Sequence, residues 1–382
     1  METADGLNDY INAILATTGA QKVNINAVCL GGSPLLAYLS KYGGEKLNAV
    51  GFMHAVCFGS ELVDETFSGN INVDAEAVAR FEKDYFVQVN LKDKQILKTF
   101  LDETMTLLEA SGSLECLTTA FMRGLYDRLY EGLTPAAARA SFATWPSYWS
   151  MVTAEKYEYT RNFIFGEPGS DIYNEYAGLI EKLDRYDREV RQRIPDILKE
   201  IKNSGVKMAV VARYGLQMPP VLASVDETGD VWLTVRYASI GATASKIGTT
   251  LSEDYLAGRR DAGFGKYLSP DSQIDASTCL FPDNTWFIKG ALHGEDIANL
   301  NDILENVFNS TDEVTVETFE EYPQFMVYDR ETTIISPMTE DNMNVETYPV
   351  NEEKPGLIDR LRTFFTHLGK WFAALFALVK TL

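Results

Sequence analysis

Apolar residues follow two patterns along the chain: short continuous runs, and longer stretches in which they recur every three or four positions. Leu7, Ile11 and Ile14 have the helical spacing, whereas Val23 to Cys29 is a short apolar run. The start of the chain therefore predicts a helix over 5–18, a strand over 23–29, a helix over 33–42 and a strand within 46–58. Strand, helix and strand with short links predict a right-handed parallel βαβ unit.

The pattern becomes almost wholly helical from residue 74 and remains so to residue 203. Helical periodicity is clearest over 93–110 and 114–130 and in a long polar stretch over 170–203. An aromatic segment, Trp145 to Trp149, interrupts it and is interpreted as a loop. We expect this region to be an insertion that forms a helical cap.

Sheet character returns after residue 204. The patterns predict strands at 206–212 and 285–288, a hairpin of 221–225 with 230–236, a helix over 295–308 and short strands within 313–336. Helices between parallel strands are typical of an α/β fold. We therefore predict an α/β protein with a mostly parallel sheet.

The composition of the chain changes after residue 338. Residues 339–355 form an acidic segment with Asn and Pro, which is typical of a linker. Beyond it, apolar residues at helical spacing and mainly basic charges predict an amphipathic helix over 356–382. Such a helix is too interrupted to span a bilayer but can lie on a membrane surface, or it can dock on its own domain or on a partner.

These patterns divide the chain into five parts. They are the first part of the core, 1–73; the helical cap or lid, 74–203; the second part of the core, 204–338; the acidic linker, 339–355; and the C-terminal helix, 356–382.

The net charge of the chain limits the kinds of partner that it can bind. The chain has 55 acidic and 34 basic residues and a formal charge of -21, which argues against nucleic-acid binding. The four cysteines lack the spacing of a zinc site or a disulfide framework, and no motif indicates a cofactor or metal. We expect a cytoplasmic or peripheral membrane protein, and the sequence gives no indication of oligomeric state.

The glycine turn after the first strand is the strongest chemical signal. The strand ends at Cys29, followed by Leu30, Gly31 and Gly32 and then at once by a helix. A strand that turns sharply through glycines into a helix is the setting of a nucleophile elbow. We therefore predict Cys29 as the nucleophile and the Leu30 backbone N–H as an oxyanion donor.

A nucleophilic cysteine needs a base, and the chain has three histidines. His54 lies inside an apolar strand and His367 in the C-terminal helix, whereas His293 follows a predicted strand, where α/β sheets carry active sites. Two carboxylates, Asp271 and Asp275, lie upstream in a turn-rich segment and are alternative partners for His293. The order nucleophile, acid, histidine is that of the α/β-hydrolase fold.

The segments around these residues resemble bacterial triacylglycerol lipases and lecithin–cholesterol acyltransferase-like hydrolases of the α/β-hydrolase superfamily. The resemblance rests on the elbow at 27–32, the Gly-Ser pair at 59–60, the acid loop at 271–274, the loop of His293 and the aromatic segment at 145–149. It implies a Cys29–His293–Asp271 triad, with Asp271 favoured over Asp275. It also implies a lipid-like acyl substrate that contacts Trp145, Tyr148 and Trp149.

Two departures from that family matter. Cysteine stands where the lipases have serine, and Ala27 stands where they have the first glycine of the elbow. The family also has strands before the elbow helix, one of which leads to a second oxyanion donor. Either a longer reading frame supplies them, or strands within 313–336 pair at that position.

The sequence thus predicts a lipase- or esterase-like acyl hydrolase that acts on an ester or thioester. The alternatives are an inactive hydrolase fold that binds ligands or a membrane surface, and an acyltransferase that uses the same site.

Overall fold

The computed structural model describes residues 2–65, 95–111, 135–216 and 226–344, together with Thr363, 366–368 and Lys370. The chain divides into two compact units. The first comprises 1–69, 135–218 and 225–348, and the second comprises 70–134, 219–224 and 349–382. The predicted linker from residue 345 onward, most of the C-terminal helix and the strand at 221–225 lie outside the described residues.

The first unit contains the sheet and most of the described helices. Its helices are α1 (Glu2–Thr18), α2 (Gly32–Tyr42), α3 (Glu61–Asp64), α5 (Pro135–Phe142), α6 (Pro146–Met151), α7 (Tyr157–Phe165), α8 (Asp171–Glu175), α9 (Ala177–Glu189), α10 (Ile194–Asn203), α11 (Val235–Ala238), α12 (Glu253–Asp261) and α13 (Asn301–Asn309). Its strands are β1 (Val23–Val28), β2 (Leu47–Met53), β3 (Lys207–Tyr214), β4 (Thr243–Ala244), β5 (Ile274–Asp275), β6 (Thr285–Lys289), β7 (Phe325–Asp329) and β8 (Ile334–Pro337).

The second unit contributes helix α4 (Gln95–Ser111) to the described residues. Within this unit, His367 Nδ1 lies 2.6 Å from Glu103 Oε2.

The main sheet has the order β1-β2-β3-β6-β7-β8 among the described strands. The first five strands are parallel, and β8 is antiparallel to β7. A helical region lies between β2 and β3 in the chain. The prediction of an α/β fold with a mostly parallel sheet and the predicted parallel β1-α2-β2 unit are confirmed.

The strand sequences fit their places in the sheet. β3 is buried along nearly its whole length, because helices cover both faces of a parallel sheet and its strands become continuous apolar runs. β1 pairs only with β2 among the described strands, and it alternates between covered and exposed positions. Its exposed side carries Asn24 and Asn26, polar residues that suit an edge.

Two helical layers bury the sheet. On one face, α2 and α10 pack Leu36, Tyr38 and Leu198 against the strands, with α1 outside α2. On the other face, α13 packs Ile303 and Val307 near the fully buried Trp286 of β6. A third apolar cluster surrounds Tyr214 and Phe287 near the carboxyl ends of the central strands. That end of the sheet carries the candidate site.

Strands do form within 313–336, as predicted, but one alternative for their position and three other predictions about elements are wrong. The strands predicted within 313–336 pair beside β6, at the edge of the sheet opposite β1, so they do not replace strands next to the elbow. The segment 230–236 is no strand but a bend that leads into α11. The aromatic segment is not a loop, because Pro146 starts helix α6, where its missing N–H is tolerated. The long helix over 170–203 is broken into α8, α9 and α10.

Candidate functional site

Cys29 directly follows β1 and has a positive φ of 50°. A residue other than glycine in this region stores about 1–3 kcal/mol of strain, and such residues cluster at active sites. The next residues form a tight 3-10 turn, Cys29–Gly31, that passes directly into α2. The side chain of Cys29 is therefore at the tip of a strand–turn–helix elbow, as the glycine pattern predicts.

The two glycines of the elbow have different roles. A Cβ on Gly32 would lie 2.6 Å from the Val56 carbonyl oxygen, a backbone atom that cannot swing away. A Cβ on Gly31 would meet only the Cβ of Ala27, at an ordinary 3.8 Å. The segment after β2 approaches closely because the Val56 N–H donates to the Cys29 carbonyl at 2.8 Å. Gly32 thus permits the contact that holds the elbow.

His293 lies in the loop after β6, at the same end of the sheet as Cys29. Its backbone N–H donates to the Asp230 carbonyl at 3.0 Å, and its Nδ1 lies 2.8 Å from Asp230 Oδ2. Asp230 belongs to the loop after β3, the strand that pairs with β6. Backbone and side chain together fix the imidazole against this carboxylate.

The Asp230 carboxylate is completely buried, and both of its oxygen atoms have hydrogen-bond partners. While Oδ2 faces His293, Oδ1 accepts the backbone N–H groups of Trp232 at 3.0 Å and Leu233 at 2.8 Å. The carboxylate therefore has one orientation available. A buried acid held in this way is suited to fixing the tautomer of the histidine it faces.

The side chains of Cys29 and His293 influence each other's pKa. The interaction with His293 is the largest influence on the Cys29 thiol and lowers its pKa against the opposing effect of burial. Burial lowers the pKa of His293, but Asp230 and Cys29 more than offset it and raise the pKa to about 9. His293 Nε2 is buried and makes no hydrogen bond with any described residue. The arrangement favours a thiolate beside an imidazolium.

The Leu30 backbone N–H acts on the Cys29 sulfur and lowers the pKa of the thiol further. In a strand–turn–helix elbow, the backbone N–H of the residue after the nucleophile is an oxyanion donor. This role of Leu30 stays a prediction.

Asp271 and Asp275, the two carboxylates that the sequence offers as partners for His293, contact other groups. Asp271 forms a buried ion pair with Lys289 at 2.8 Å and accepts from the Tyr214 hydroxyl at 3.1 Å. Asp275 pairs with Arg259 at 2.7 Å and accepts the backbone N–H of Ser277. The structure brings Cys29 and His293 together but sets Asp230, and not Asp271 or Asp275, beside the histidine.

The three predicted substrate-binding aromatics lie in and around α6, which contacts the elbow. Trp149 is buried in the helical region: its Nε1 donates to the Ala143 carbonyl, and its ring stacks on Phe165 at 5.7 Å. Tyr148 is also buried, whereas Trp145 is 48% exposed. Trp149 thus has a packing role in the described structure, and substrate contact by the other two stays a prediction.

Two further residues lie at the site: His54, which the sequence assigned to an apolar strand, and Arg213, for which the sequence predicted no role. His54 follows β2 with a positive φ of 38°, and its buried ring meets that of His293 edge to face, with centroids 4.6 Å apart. Burial lowers the pKa of His54 to about 2, aided by the charge of Arg213, so the ring is neutral. Arg213, buried at the end of β3, donates to three carbonyl groups of the His293 loop.

Asp230 had a signal in the sequence, although it was assigned to a hairpin. It is a carboxylate in turn-rich sequence between the buried parallel strands β3 and β6, and the residues two and three positions on donate to it, as in an Asx turn. His54 had none, because a histidine in an apolar segment is equally typical of core packing.

No group of three or more His, Cys, Asp or Glu side chains among the described residues is arranged to hold a metal ion. None of the described helices has both the length and the apolar character that crossing a bilayer requires. Comparisons of the chain with protein-family models, with curated proteins and with solved structures found no match.

Proposed function

We propose that this protein is a cysteine acyl hydrolase with Cys29 as nucleophile, His293 as acid and base, and Asp230 as the group that orients His293. The observation that carries the proposal is the 2.8 Å contact of His293 Nδ1 with Asp230, on a histidine whose ring also interacts with the elbow cysteine. Nucleophile, base and orienting acid are the three parts that acyl transfer requires.

The first half-reaction forms an acyl-enzyme. The Cys29 thiolate attacks the carbonyl carbon, a C–S bond forms, and the carbonyl electron pair moves to oxygen, which the Leu30 N–H stabilises. The intermediate then collapses, the bond to the leaving group breaks, and imidazolium His293 donates its proton to the departing oxygen or sulfur. Because the thiolate is itself a good leaving group, this proton transfer decides whether the intermediate moves forward when an alkoxide must leave.

The second half-reaction releases the acid. Neutral His293 takes a proton from water, the hydroxide attacks the thioester carbon, and the new intermediate expels the Cys29 thiolate. The imidazolium is restored, so the thiolate and its partner return to their starting charges. If an alcohol replaces water, the same steps give acyl transfer, so a hydrolase and an acyltransferase built on this site differ only in the acceptor.

The topology supports assignment to the α/β-hydrolase superfamily. In chain order, the nucleophile follows β1, a helical region follows β2, Asp230 follows β3 and His293 follows β6, and these four strands are adjacent in the sheet. The order nucleophile, acid, histidine is the one that fold uses. This order is the same whether Asp230 or Asp271 is the acid.

An apolar acyl group fits the surface beside the thiol. Val28, immediately before Cys29, is 46% exposed, and Trp232, whose N–H binds the triad carboxylate, is 39% exposed. Leu30 and Met151 are partly buried and pack against the apolar cluster around Tyr214 and Phe287. Apolar side chains in and next to the segments that carry Cys29 and Asp230 favour an ester or thioester of a fatty or other apolar acid over a charged substrate.

The test is turnover of p-nitrophenyl esters with acyl chains of increasing length, combined with intact-mass detection of the acyl-enzyme. We expect hydrolysis by the wild type, an adduct located on Cys29, and loss of both in Cys29→Ala. Cys116→Ala serves as the control and should retain both. Turnover that persists in Cys29→Ala would refute the proposal.

A second candidate is a hydrolase fold without catalysis that binds a ligand or a membrane surface. It is favoured by one observation: Leu30 is the one oxyanion donor that can be assigned among the described residues, and the loss of one such donor typically costs about 2.7–4 kcal/mol of transition-state stabilisation. This candidate predicts no ester turnover and binding to anionic vesicles that is lost when 356–382 are removed. Absence of vesicle binding by the intact chain would reject it.

A further inference from the structure

Arg213 is a buried cation whose hydrogen bonds go to the loop of His293. It lies on β3 and is 2% exposed. Its Nη1 donates to the carbonyl oxygens of Leu292, of His293 at 3.2 Å and of Glu295 at 3.0 Å. One guanidinium nitrogen thus donates to three carbonyl groups of the loop that carries the proposed base. These hydrogen bonds fix the path of the loop.

The charge of Arg213 complements a carboxylate that water cannot reach. Asp230 is fully buried, and an ionised carboxylate in the protein interior is unfavourable unless a cation balances it. His293 provides a positive charge only while it is protonated, and in the proposed reaction it loses and regains that proton. An arginine stays charged throughout, because its guanidinium is not deprotonated in proteins. Burial lowers the pKa of Arg213, and Asp230 is the strongest of the groups that oppose this effect.

We propose that Arg213 is a positioning residue for the cysteine site: it holds the His293 loop through three carbonyl groups and supplies the permanent positive charge that balances Asp230. This inference rests on the proposed function and adds a residue that touches neither substrate nor reacting atoms. With the thiolate, the imidazolium and the carboxylate present, the site has one net negative charge, and Arg213 neutralises it.

The inference predicts an electrostatic effect on Cys29. Without the cation the site is more negative, so it binds protons more readily and the thiolate forms at higher pH. The other charged or titratable groups that act on Arg213 are Glu295, which pairs with Arg330 at 3.2 Å, Tyr328 and Asp296. His54 stays neutral because burial lowers its pKa to about 2. Over the accessible pH range the response is therefore that of Cys29 and His293.

The experiment measures the rate of iodoacetamide alkylation of Cys29 against pH, with peptide mass spectrometry to locate the label. The variants are Arg213→Met, which removes the charge and the hydrogen bonds, and Arg213→Lys, which keeps the charge. At low pH the rate falls as the thiolate is protonated, and this falling part of the profile is the acid-side limb. We expect the limb to move up by about one pH unit in Arg213→Met, so that alkylation is about tenfold slower at pH values below it. Arg213→Lys should keep the limb of the wild type.

Arg191→Met is the matched control. Arg191 is also a buried arginine, which pairs with Asp187 at 2.6 Å and donates to the Trp149 carbonyl, but it is not among the groups that shift the pKa of Cys29 or of His293. It should lower the melting temperature without moving the limb. If Arg213→Met does not fold, Arg213→Gln provides a neutral side chain that can still donate to a carbonyl.

The outcomes separate this inference from the proposed function. A limb that stays in place in the folded neutral variant overturns the role of Arg213 and leaves the proposed function intact. A wild-type protein whose Cys29 reacts like an ordinary thiol overturns both. Because alkylation needs no ester, the result does not depend on having found the substrate.

Discussion

His293 Nδ1 lies 2.8 Å from Oδ2 of Asp230, a residue 63 positions earlier in the chain. The contact joins the loops that follow two adjacent parallel strands, β3 and β6. It leaves Nε2, the other ring nitrogen, without a hydrogen-bond partner among the described residues, and the proposed reaction assigns this nitrogen to Cys29. The proposed chemistry depends on this relationship, and it selects one carboxylate from the several that the sequence offers.

Asp230→Asn should abolish most activity, and Asp271→Asn should not. The amide removes the acceptor that fixes the His293 tautomer, and we expect kcat of ester hydrolysis to fall by about 10³–10⁴-fold while the fold is kept. Asp271→Asn instead leaves Lys289 buried without its partner and should lower the free energy of unfolding by about 3–5 kcal/mol. Urea unfolding and steady-state kinetics on both variants test the pair. If Asp271→Asn lowered kcat and Asp230→Asn did not, then Asp271, the acid favoured by the sequence, would be the group that orients His293.

The two glycines of the elbow should respond differently to alanine. Both have helical backbone angles, so neither substitution is opposed by φ. Gly32→Ala forces a Cβ against the Val56 carbonyl and should destabilise the protein by about 1–3 kcal/mol and slow Cys29 alkylation. Gly31→Ala meets only Ala27 and should be neutral or slightly stabilising. Equal melting temperatures for the two variants would contradict the close approach at Val56.

The cysteines should differ in reactivity at neutral pH. Burial raises the pKa of Cys57 and of Cys279 to about 12, whereas His293 lowers that of Cys29. Since the thiolate is the reacting form, limited iodoacetamide at pH 7 should label Cys29 at least about tenfold faster than either buried cysteine. Quantitative peptide mapping measures the three rates. Labelling of Cys57 at the rate of Cys29 would show that Cys29 is not activated.

The ring of His54 should support that of His293. In His54→Ala the edge-to-face contact is lost, and we expect about 2 kcal/mol lower stability and about tenfold slower turnover, because the base is held less firmly. His54→Phe keeps a ring and removes a buried nitrogen that has no hydrogen-bond partner among the described residues, so it should stay close to wild type. Chemical denaturation and kcat provide the two measurements. If both variants lose turnover equally, the nitrogen itself is needed.

The centre of the sheet could be predicted from the sequence because β2, β3 and β6 are buried on both faces, and their apolar runs stand out against the polar and periodic segments around them. β1, at the edge, alternates Asn with apolar residues before it reaches Ala27 and Val28. The elbow was predictable for a similar local reason, because Gly31 and Gly32 mark the turn into α2. Cys29 and His293 each lie next to such a strand, and their positions follow from it.

The acid could not be chosen from local pattern alone. Asp230, Asp271 and Asp275 all lie in polar, turn-rich sequence, and only tertiary contacts distinguish them. Lys289, at the end of β6, engages Asp271, whereas the turn at Trp232 and Leu233 aims Asp230 at His293. The roles of Arg213 and His54 were also inaccessible, because each depends on which strands are neighbours in the sheet.

The pH dependence of Cys29 alkylation in the wild type and in His293→Gln tests the central claim most directly. His293 is the largest influence on the thiol and lowers its pKa, so the wild-type thiolate should persist to a pH below the ordinary thiol value of about 8.5 and disappear as the pH falls through that lowered pKa. In His293→Gln burial remains and the imidazolium is gone, so the limb should move to the ordinary value or above it. Identical limbs in the two proteins would contradict a Cys29–His293 pair.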